Sequence, residues 1–402
     1  MKLVPEHRPV TIHSVRFGER WFPQLLRHTD NSLLLWLAWG NDAAFAPSLH
    51  IRSTDNGRTW SEPESNVPRH AFSHSLAADE LFELDAVGIS DPNAPEDAVF
   101  WGAWSQPGRL GDEPQIDFVR MHLPSIKRTP LAALSSGYPT HPWWPIWNTL
   151  HGRDDMTSDE ILLAGLAVGT GITLDDGRIL ALGYGHHKDS IGGHDSIFMI
   201  TSADNGRTWT ETGIAANGDA MAASPNEATL VRLRDGRLYA AMRVEGITRD
   251  PVKAVLHQMW SSDDGRTWTT PEPMRLIDSE HLPASVWPRA KVLEDGTLVM
   301  SYGRPGKHLI FDPTGTGTQW QGMLDLTAFE KETQTLLGVP EAQQLRRPGG
   351  PEDRHCDSSD YLALETDGPR TVIVVYDVQN YVENWNARPV SGVRMLRVRL
   401  ED

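Results

Sequence analysis

The sequence is poor in cysteine, in positive charge and in long apolar runs. Its single cysteine, Cys356, excludes an internal disulfide framework. No segment approaches the roughly 18 apolar residues of a membrane-spanning helix. The 402 residues include 37 Lys and Arg but 54 Asp and Glu, which gives a formal net charge of −17. Because nucleic acids and anionic membranes are bound through clustered cations, we expect neither as a partner.

The first seven residues contain no apolar core of the kind that secretory leaders have. This favours a cytoplasmic protein, and the alternative is a secreted protein that has lost its leader. The sequence leaves the oligomeric state open.

Glycine, proline and tryptophan are abundant instead, with 34, 28 and 15 residues. Helices of ordinary length cannot accommodate so much Gly and Pro, whereas short strands joined by tight turns can. Apolar residues make up 39% of the chain, which is enough to form a core. The composition therefore favours an all-β protein.

One eight-residue motif occurs three times, at residues 53–60, 202–209 and 261–268, as STDNGRTW, SADNGRTW and SSDDGRTW. The Asp at its third position can fold its carboxylate onto nearby backbone N–H groups, as in an Asx turn. The Gly allows a positive φ, and the final Trp is expected to pack on the sheet. Three near-identical copies predict a recurring turn between strands, with a decayed copy at residues 317–320.

A second motif, an Asp-Gly pair between two apolar strands, alternates with the first. Asp-Gly between strands is among the strongest short signals of a β-hairpin. In two of the units the hairpin Asp precedes the octet Asp by 28 residues (204 − 176 and 263 − 235). The glycines of this motif are Gly177, Gly236, Gly296 and Gly368, and a variant lies at Asp30-Asn31.

The two motifs together define a unit of four antiparallel strands, and radial repetition of such units makes a β-propeller. We predict an all-β, six-bladed β-propeller of four-stranded antiparallel blades with these octets as turns, in a single domain over residues 1–402. Five or seven blades remain as alternatives. Residues 10–15 are expected to pair with the last blade, and residues 106–160 form an irregular insertion rich in Pro and Trp. The blades are placed near residues 20–60, 80–123, 168–213, 225–270, 286–322 and 357–400.

In this topology both turn motifs lie on one rim, and the starts of the first strands and the ends of the second strands lie on the other. A ligand at the axis would be bound from this second rim, whose arginines and carboxylates indicate an anionic ligand and acid–base chemistry. The candidate catalytic residues are Asp42, Glu227 and Asp357. The candidate substrate-binding residues are Arg20, Trp21, Tyr184, His186, His187, Arg243, Arg289, Tyr302 and Arg304. The same rim also holds Asn41, Glu80, Asn226, Trp287 and Asp377.

The three octets resemble the Asp boxes, or BNR repeats, of the sialidase superfamily, and the similarity extends over nearly the whole chain. Residues 226–238, NEATLVRLRDGRL, followed by Arg243, resemble the family's Asn-Glu strand, Asp-Gly turn and arginine. The resemblance implies that Arg243 and Arg304 are two of three arginines that hold a substrate carboxylate. It implies that Glu227 is the carboxylate beside the nucleophile and that Asp42 lies near the position of the general acid.

Two positions depart from the family's pattern. Trp21-Phe22-Pro23 stands where the family has its first arginine, so Arg20 lies one residue early. Asp357-Ser358-Ser359 fills the stretch that carries the family's nucleophilic Tyr. Asp357 is therefore the predicted replacement, and Tyr361 is expected to lie further into the strand. A relative that cleaves a different sugar is favoured over an ordinary retaining sialidase.

Other polar and aromatic clusters allow two interpretations each. His186, His187 and His194 do not follow a zinc-ligand spacing, so we predict no metal and no cofactor, and keep the first two as substrate contacts or a proton donor. The Trp-rich residues 142–147 form either a sugar-stacking surface or a lid packed by its own rings.

The sequence predicts an exo-acting glycoside hydrolase that releases a terminal sugar from oligosaccharide substrates. In one version of this hypothesis the terminal sugar is acidic. Two of Asp42, Glu227 and Asp357 would act as acid and as base or nucleophile. A second hypothesis is a propeller lyase of uronic-acid glycans, in which Tyr184, His186, His187 and Arg243 carry proton abstraction next to a neutralised carboxylate. A third is a carbohydrate-binding propeller without catalysis.

Overall fold

Strands make up nearly all the regular structure, because short apolar runs alternate with turns along the whole chain. In the computed structural model, the described residues are 1–15, 20–39, 48–67, 70–76, 80–85, 88–91, 94–105, 115–130, 160–162, 164–166, 171–246, 255–284, 286–304, 306–333, 337–338, 358–382 and 390–402. They divide into two compact units. Unit 1 comprises residues 1–69, 77–79 and 227–402, and unit 2 comprises residues 70–76 and 80–226.

The strands are numbered here in chain order. Unit 1 begins with β1 (Lys2–Pro5), β2 (Val10–Val15), β3 (Arg20–Arg27), β4 (Leu33–Trp39), β5 (Ser48–Ser53) and β6 (Glu64–Val67). Unit 2 contains β7 (His70–Ser75), β8 (Leu81–Asp85), β9 (Gly88–Asp91), β10 (Ala94–Ser105), β11 (Gln115–His122), β12 (Thr129–Pro130), β13 (Glu160–Leu162), β14 (Ala164–Leu166), β15 (Ile172–Thr173), β16 (Ile179–His186), β17 (Asp195–Ser202), β18 (Thr208–Ala216) and the short helix α1 (Gly218–Met221).

The chain then returns to unit 1 through β19, whose first three residues belong to unit 2. The remaining elements are β19 (Ser224–Arg232), β20 (Leu238–Glu245), β21 (His257–Ser261), β22 (Glu272–Pro273), β23 (Val286–Val292), β24 (Leu298–Gly303), β25 (Lys307–Asp312), β26 (Gln321–Asp325), helix α2 (Leu326–Thr333), β27 (Leu337–Gly338), β28 (Leu362–Thr366), β29 (Thr371–Val382) and β30 (Val390–Glu401). Neither described helix has the length and apolar character that crossing a membrane requires.

Unit 1 has a propeller-like arrangement of four small sheets. Three are four-stranded meanders, β3–β6, β19–β22 and β23–β26, and the fourth joins β1 and β2 to β27–β30. Strand β28 packs against both β3 and β23, and β20 packs against β23, so the inner strands of successive sheets are neighbours. Strand β2 pairs with β30, with Val10 opposite Met395. This confirms the predicted pairing of residues 10–15 with the last repeat.

Unit 2 is built on one twelve-stranded sheet. The strands predicted for the second blade are present as β8, β10 and β11, with β7 as a further strand, and those of the third blade as β15–β18. Strand β11 runs parallel to β18, with Met121 opposite Trp209, so these two repeats share a single sheet. The all-β prediction is confirmed, whereas the count of six separate blades is not.

The Asp-box octets form the predicted turns. At residues 261–268, Ser261 Oγ donates to Asp263 Oδ1 at 2.8 Å, and Thr267 donates from its backbone N at 2.8 Å and from its hydroxyl at 2.6 Å. Gly265 has a φ of 82° and donates its N–H to Ser261 Oγ. The same bonds recur in the other two copies. Each carboxylate thus closes its turn by accepting local donors.

The degenerate fourth copy of the octet, predicted at residues 317–320, keeps the hydrogen bonding to an Asp carboxylate that the other three copies have, but with a different spacing between its residues. The buried Asp312 accepts hydrogen bonds from the backbone N–H groups of Thr314, Thr318 and Gln319 at 2.7, 2.9 and 3.1 Å. Trp320, which follows, is fully buried in a cluster that also contains Tyr239. The turn therefore anchors an aromatic side chain between two neighbouring sheets of unit 1.

We expect Asp312→Ala to lower the free energy of unfolding by about 2–4 kcal/mol, because the buried acceptor of several hydrogen bonds in this turn is lost. Urea denaturation measures the change. Glu280→Ala, at an exposed position in an irregular connection of the same unit, serves as the control and should stay within about 0.5 kcal/mol of the wild type. An Asp312→Ala protein as stable as this control would contradict the assigned role of the turn.

Candidate functional site

A buried hydrogen bond joins a tyrosine and a glutamate at one end of the inner strands of unit 1. Tyr361, directly before β28, donates its hydroxyl to Glu227 Oε1 at 2.5 Å. Glu227 lies in β19, and its other oxygen accepts the backbone N–H of Trp287 at 3.1 Å. Both residues of the pair are less than 9% exposed. A carboxylate and a phenol are therefore held in direct contact in a largely water-free site.

Two arginines lie beside this pair. Arg243 Nη1 is 3.4 Å from Glu227 Oε1, and its Nη2 is bound by Glu245, two residues further along β20. Arg304 donates from Nη2 to the carbonyl of Ser359 at 3.0 Å, and its guanidinium lies 5.5 Å from the centre of the Tyr361 ring. Cationic groups thus approach both members of the pair.

Aromatic rings enclose the side chain of Tyr361. Phe22 and Trp287 each meet it edge to face, with ring centres 4.5 and 4.8 Å away. The guanidinium of Arg289 lies over the Trp287 ring, 4.2 Å from its centre. Edge-to-face contacts of this kind fix ring orientation, so the hydroxyl of Tyr361 is aimed by packing as well as by its hydrogen bond.

Burial and neighbouring charge set the ionisation of these groups. Burial raises the pKa of Tyr361 well above its ordinary value, and the negative charge of Glu227 adds to this effect while Arg304 and Arg243 oppose it. Burial also lowers the pKa of Arg289, opposed by Glu227. Tyr361 is therefore a neutral phenol at physiological pH.

Five non-glycine residues around Tyr361 adopt left-handed backbone conformations. Their φ angles are 53° at Phe22, 45° at Glu227, 44° at Trp287, 58° at Arg304 and 60° at Asp360. The other positive-φ residues that are not glycine, among those described, occupy turns and a helix cap. Such residues cost on the order of 1–3 kcal/mol each and concentrate at functional sites. The cluster is therefore an independent mark of a site at this end of the strands.

A buried carboxylate supports the turn that carries Tyr361. Asp377, in β29, accepts the backbone N–H of Ser359 at 2.7 Å and also its hydroxyl. The hydroxyl of Ser358 donates to the Asp377 carbonyl at 2.8 Å. Burial raises the pKa of Asp377 to about 6; the Ser359 bonds and Lys307 oppose this rise, and Asp360 adds to it. Asp377 thus stabilises the left-handed turn immediately before the tyrosine.

The structure brings together some of the predicted residues. Glu227, Arg243 and Arg304 surround Tyr361, and Arg289 reaches the same cluster through Trp287. Tyr302 instead lies in an apolar core, with its hydroxyl 3.5 Å from Met323 Sδ. Strand β3 contains Arg20 and Trp21, whose side chains lie outside the described residues, as do Asp42 and Asp357 entirely.

The other predicted residues belong to unit 2. Tyr184 is half-buried in β16 opposite Ile197. His186 is exposed, with Nδ1 2.6 Å from Asp195 Oδ1, and His187 accepts the N–H of Asp189 at Nδ1. No group of three His, Cys, Asp or Glu side chains in the described parts of the chain is arranged to hold a metal ion.

The expectation that Tyr361 lies further into a strand is wrong, because β28 begins only at Leu362. Tyr361 therefore stands at the start of an inner strand, on the level of Glu227. The sequence carried a signal for this, since the unbroken apolar run starts at Leu362 and polar residues precede Tyr361. Glu245 was also missed, although its spacing of two from Arg243 places both on one face of a strand.

We expect the stability of the wild type to fall by roughly 2 kcal/mol relative to Asp377→Asn as the pH rises from 4 to 7. Since the pKa of Asp377 is raised to about 6, the folded protein keeps a proton in this window that the unfolded chain releases. Urea denaturation of both proteins at each pH measures the difference.

The matched control is Glu365→Gln, which removes a buried carboxylate whose pKa is lowered by Lys291. The pKa of Glu365 is shifted in the opposite direction to that of Asp377. The wild type should therefore gain stability relative to this variant as the pH rises through the pKa range of an ordinary Glu. A parallel pH dependence for the two variants would contradict the account of Asp377.

Comparison with known proteins agrees with this architecture. Residues 146–332 match the family described as BNR repeat-like domain. No curated protein matches the chain in sequence. The solved structures it resembles include a protein of unknown function from Dyadobacter fermentans, with 17% identity, a TM-score of 0.63 and 99% of each chain covered.

Two enzymes are also similar in fold. The α-L-arabinanase of Penicillium chrysogenum has 15% identity and a TM-score of 0.55, with 97% of this chain and 98% of that chain covered. The sialidase of Trypanosoma rangeli has 13% identity and a TM-score of 0.53, with 98% of this chain but 58% of that chain covered. Residues 146–332 therefore resemble a BNR repeat-like domain, and the fold over nearly the whole chain is similar to the folds of these two enzymes.

Proposed function

We propose that this protein is an exo-acting glycoside hydrolase that releases a terminal sugar from oligosaccharides. The observation that carries the proposal is the hydrogen bond of 2.5 Å between the buried hydroxyl of Tyr361 and Glu227. A nucleophile within hydrogen-bond reach of its base is the arrangement that covalent catalysis needs. The similarity in fold to an arabinanase and a sialidase supports the same general activity.

The proposed reaction proceeds in two displacements. Glu227 takes the phenolic proton while Tyr361 Oη forms a bond to the anomeric carbon. The glycosidic C–O bond breaks, and its electron pair leaves with the aglycone oxygen, which accepts a proton from a general acid. Water then attacks the anomeric carbon and gives a proton to the conjugate base of that general acid, while the Tyr361 oxygen leaves and recovers its proton from Glu227. The sugar is released, and the acid, the base and the nucleophile return to their starting states. Tyrosine nucleophiles are a known exception to the two-carboxylate scheme of glycosidases.

The remaining residues take supporting roles in this proposal. Asp42 is the candidate for the general acid, as the sequence resemblance implies, and Asp357 is the second candidate carboxylate. Arg243 and Arg304 bind the sugar beside the reacting atoms, as a forked donor can. The rings of Phe22 and Trp287 hold Tyr361 in line and exclude water from the Glu227 contact.

Six blades remain part of the proposal. The four sheets of unit 1 provide four repeats, and the two hairpin repeats within the twelve-stranded sheet of unit 2 supply the other two. The spacing of the turn motifs supports this count.

The experiment that tests the proposed activity is mass spectrometry of products from a panel of sialosides, uronic-acid oligosaccharides and neutral oligosaccharides. Hydrolysis adds one water to the summed mass of the products. Cleavage without added water means elimination and favours the lyase hypothesis with Tyr184, His186 and His187. Binding of a glycan without cleavage favours the non-catalytic alternative.

For the glycan that is hydrolysed, we expect Tyr361→Phe and Glu227→Gln each to lower kcat by about 10³-fold or more, because each removes one member of a pair that acts as a unit. The matched control is Tyr376→Phe. It removes another buried hydroxyl from the same sheet, one that donates to Glu330 at 2.9 Å. Full activity in Tyr361→Phe, or an equal loss in the control, would contradict the assignment.

A further inference from the structure

Arg243 is shared between two carboxylates of the protein. Its Nη1 is 3.4 Å from Glu227 Oε1, and its Nη2 is bound by Glu245 Oε1. Residues two apart on a strand point to the same side of the sheet, so Arg243 and Glu245 lie on one face of β20, and Arg243 contacts Glu227 from that face. The side chain of Glu245 is 35% exposed, against 12% for Arg243 and 10% for Glu227. The carboxylate of Glu245 is therefore the member of this trio most open to an incoming ligand.

This arrangement changes what the arginine can bind. A free guanidinium beside the nucleophile would attract a carboxylate, which it can bind through two parallel hydrogen bonds. Glu245 already occupies one of those donors, and Glu227 holds another. A carboxylated sugar entering here meets the negative charge of Glu245 at close range, and like charges brought together across a binding site disfavour binding.

Arg304 does not restore a free anion site by itself. One of its terminal nitrogens donates to the Ser359 carbonyl, and its guanidinium stacks near the ring of Tyr361. Its contacts therefore commit part of the guanidinium to the turn and ring that carry the proposed nucleophile, beside its proposed role in binding the sugar. The neutralised Arg243–Glu245 pair, by contrast, presents both a donor and an acceptor, which is what the hydroxyl groups of an uncharged sugar need.

We propose that Glu245 is a specificity-determining residue that makes the site selective for a neutral terminal sugar and excludes sugars bearing a carboxylate. This inference rests on the proposed function, since it names the substrate class of the same site. It replaces the acidic sugar that the sequence resemblance implied. Selection operates by repulsion of the wrong ligand as well as by hydrogen bonds to the right one.

Calorimetric or ligand-observed NMR titrations with free monosaccharides test the inference without requiring turnover. The probes are D-glucuronic acid and N-acetylneuraminic acid as carboxylated sugars, and D-galactose and L-arabinose as neutral ones. We expect the wild type to bind a neutral sugar more tightly than either acid. We expect Glu245→Gln to raise the affinity for a carboxylated sugar by about tenfold or more, because the amide keeps a hydrogen bond to Arg243 without the charge.

The matched control is Glu272→Gln, an exposed carboxylate on β22 of the same sheet. It changes the net charge by the same amount, so it separates local repulsion from the general field of the protein. The control should leave the preference between acidic and neutral sugars unchanged. Circular dichroism melting of both variants checks that each is folded at the temperature of the titration.

Three results would overturn the inference: tighter binding of a carboxylated sugar by the wild type, an unchanged preference in Glu245→Gln, or no binding of any neutral probe. Hydrolysis of a carboxylated glycoside by the wild type would also overturn it while leaving the proposed hydrolase intact. Full activity of Tyr361→Phe on a neutral glycoside would remove the proposed mechanism while leaving the selectivity in place. The two failures are therefore distinguishable.

Discussion

The candidate site depends on left-handed backbone at the ends of inner strands. Phe22 and Trp287 both lie where the pairing register of their sheets shifts, within the bulges that interrupt β3 and β23. A bulge turns a side chain out of the regular alternation of a strand, and here the two rings contact Tyr361 from different sheets. Glu227 has the same kind of backbone within β19, which aims its carboxylate at the phenol. The strained positions and the contacts of the candidate site therefore coincide.

Strain of this kind persists only where the surrounding structure holds it. The far ends of the inner strands are closed by hairpin turns, and Asp boxes close further turns between outer strands, all through hydrogen bonds that are local and repeated. Near the site, Asp377 and Arg304 hold the turn before Tyr361 through the backbone of Ser359. Apolar packing between the sheets supplies the rest, including the cluster around Tyr376 and Leu362. Regular turns at one end thus allow irregular backbone at the other.

The electrostatics of the site follow from burying opposite charges together. An isolated buried carboxylate is costly, but Glu227 receives two hydrogen bonds and lies within ion-pair distance of Arg243. Burial beside Glu227 keeps Tyr361 protonated, with its pKa well above its ordinary value. The pair is thus a protonated phenol bound to a carboxylate, and Glu245 binds one terminal nitrogen of the neighbouring Arg243.

Much of the architecture could be predicted from residues in local contact. Asp-Gly and Asp-box turns close through hydrogen bonds between residues a few positions apart. Short segments such as 53–60 and 261–268 therefore determine the geometry of these turns. The predicted meeting of Glu227, Arg243 and Arg304 also followed from the repeat, because equivalent strand ends share a rim. The position of Tyr361 was missed although the apolar run begins at Leu362, because the first residue of β28 is fixed only by its pairing with β29. The parallel contact of β11 with β18, the ring of Trp287 on Tyr361 and the ionisation of Asp377 were decided by tertiary structure, since each arises between segments distant in sequence.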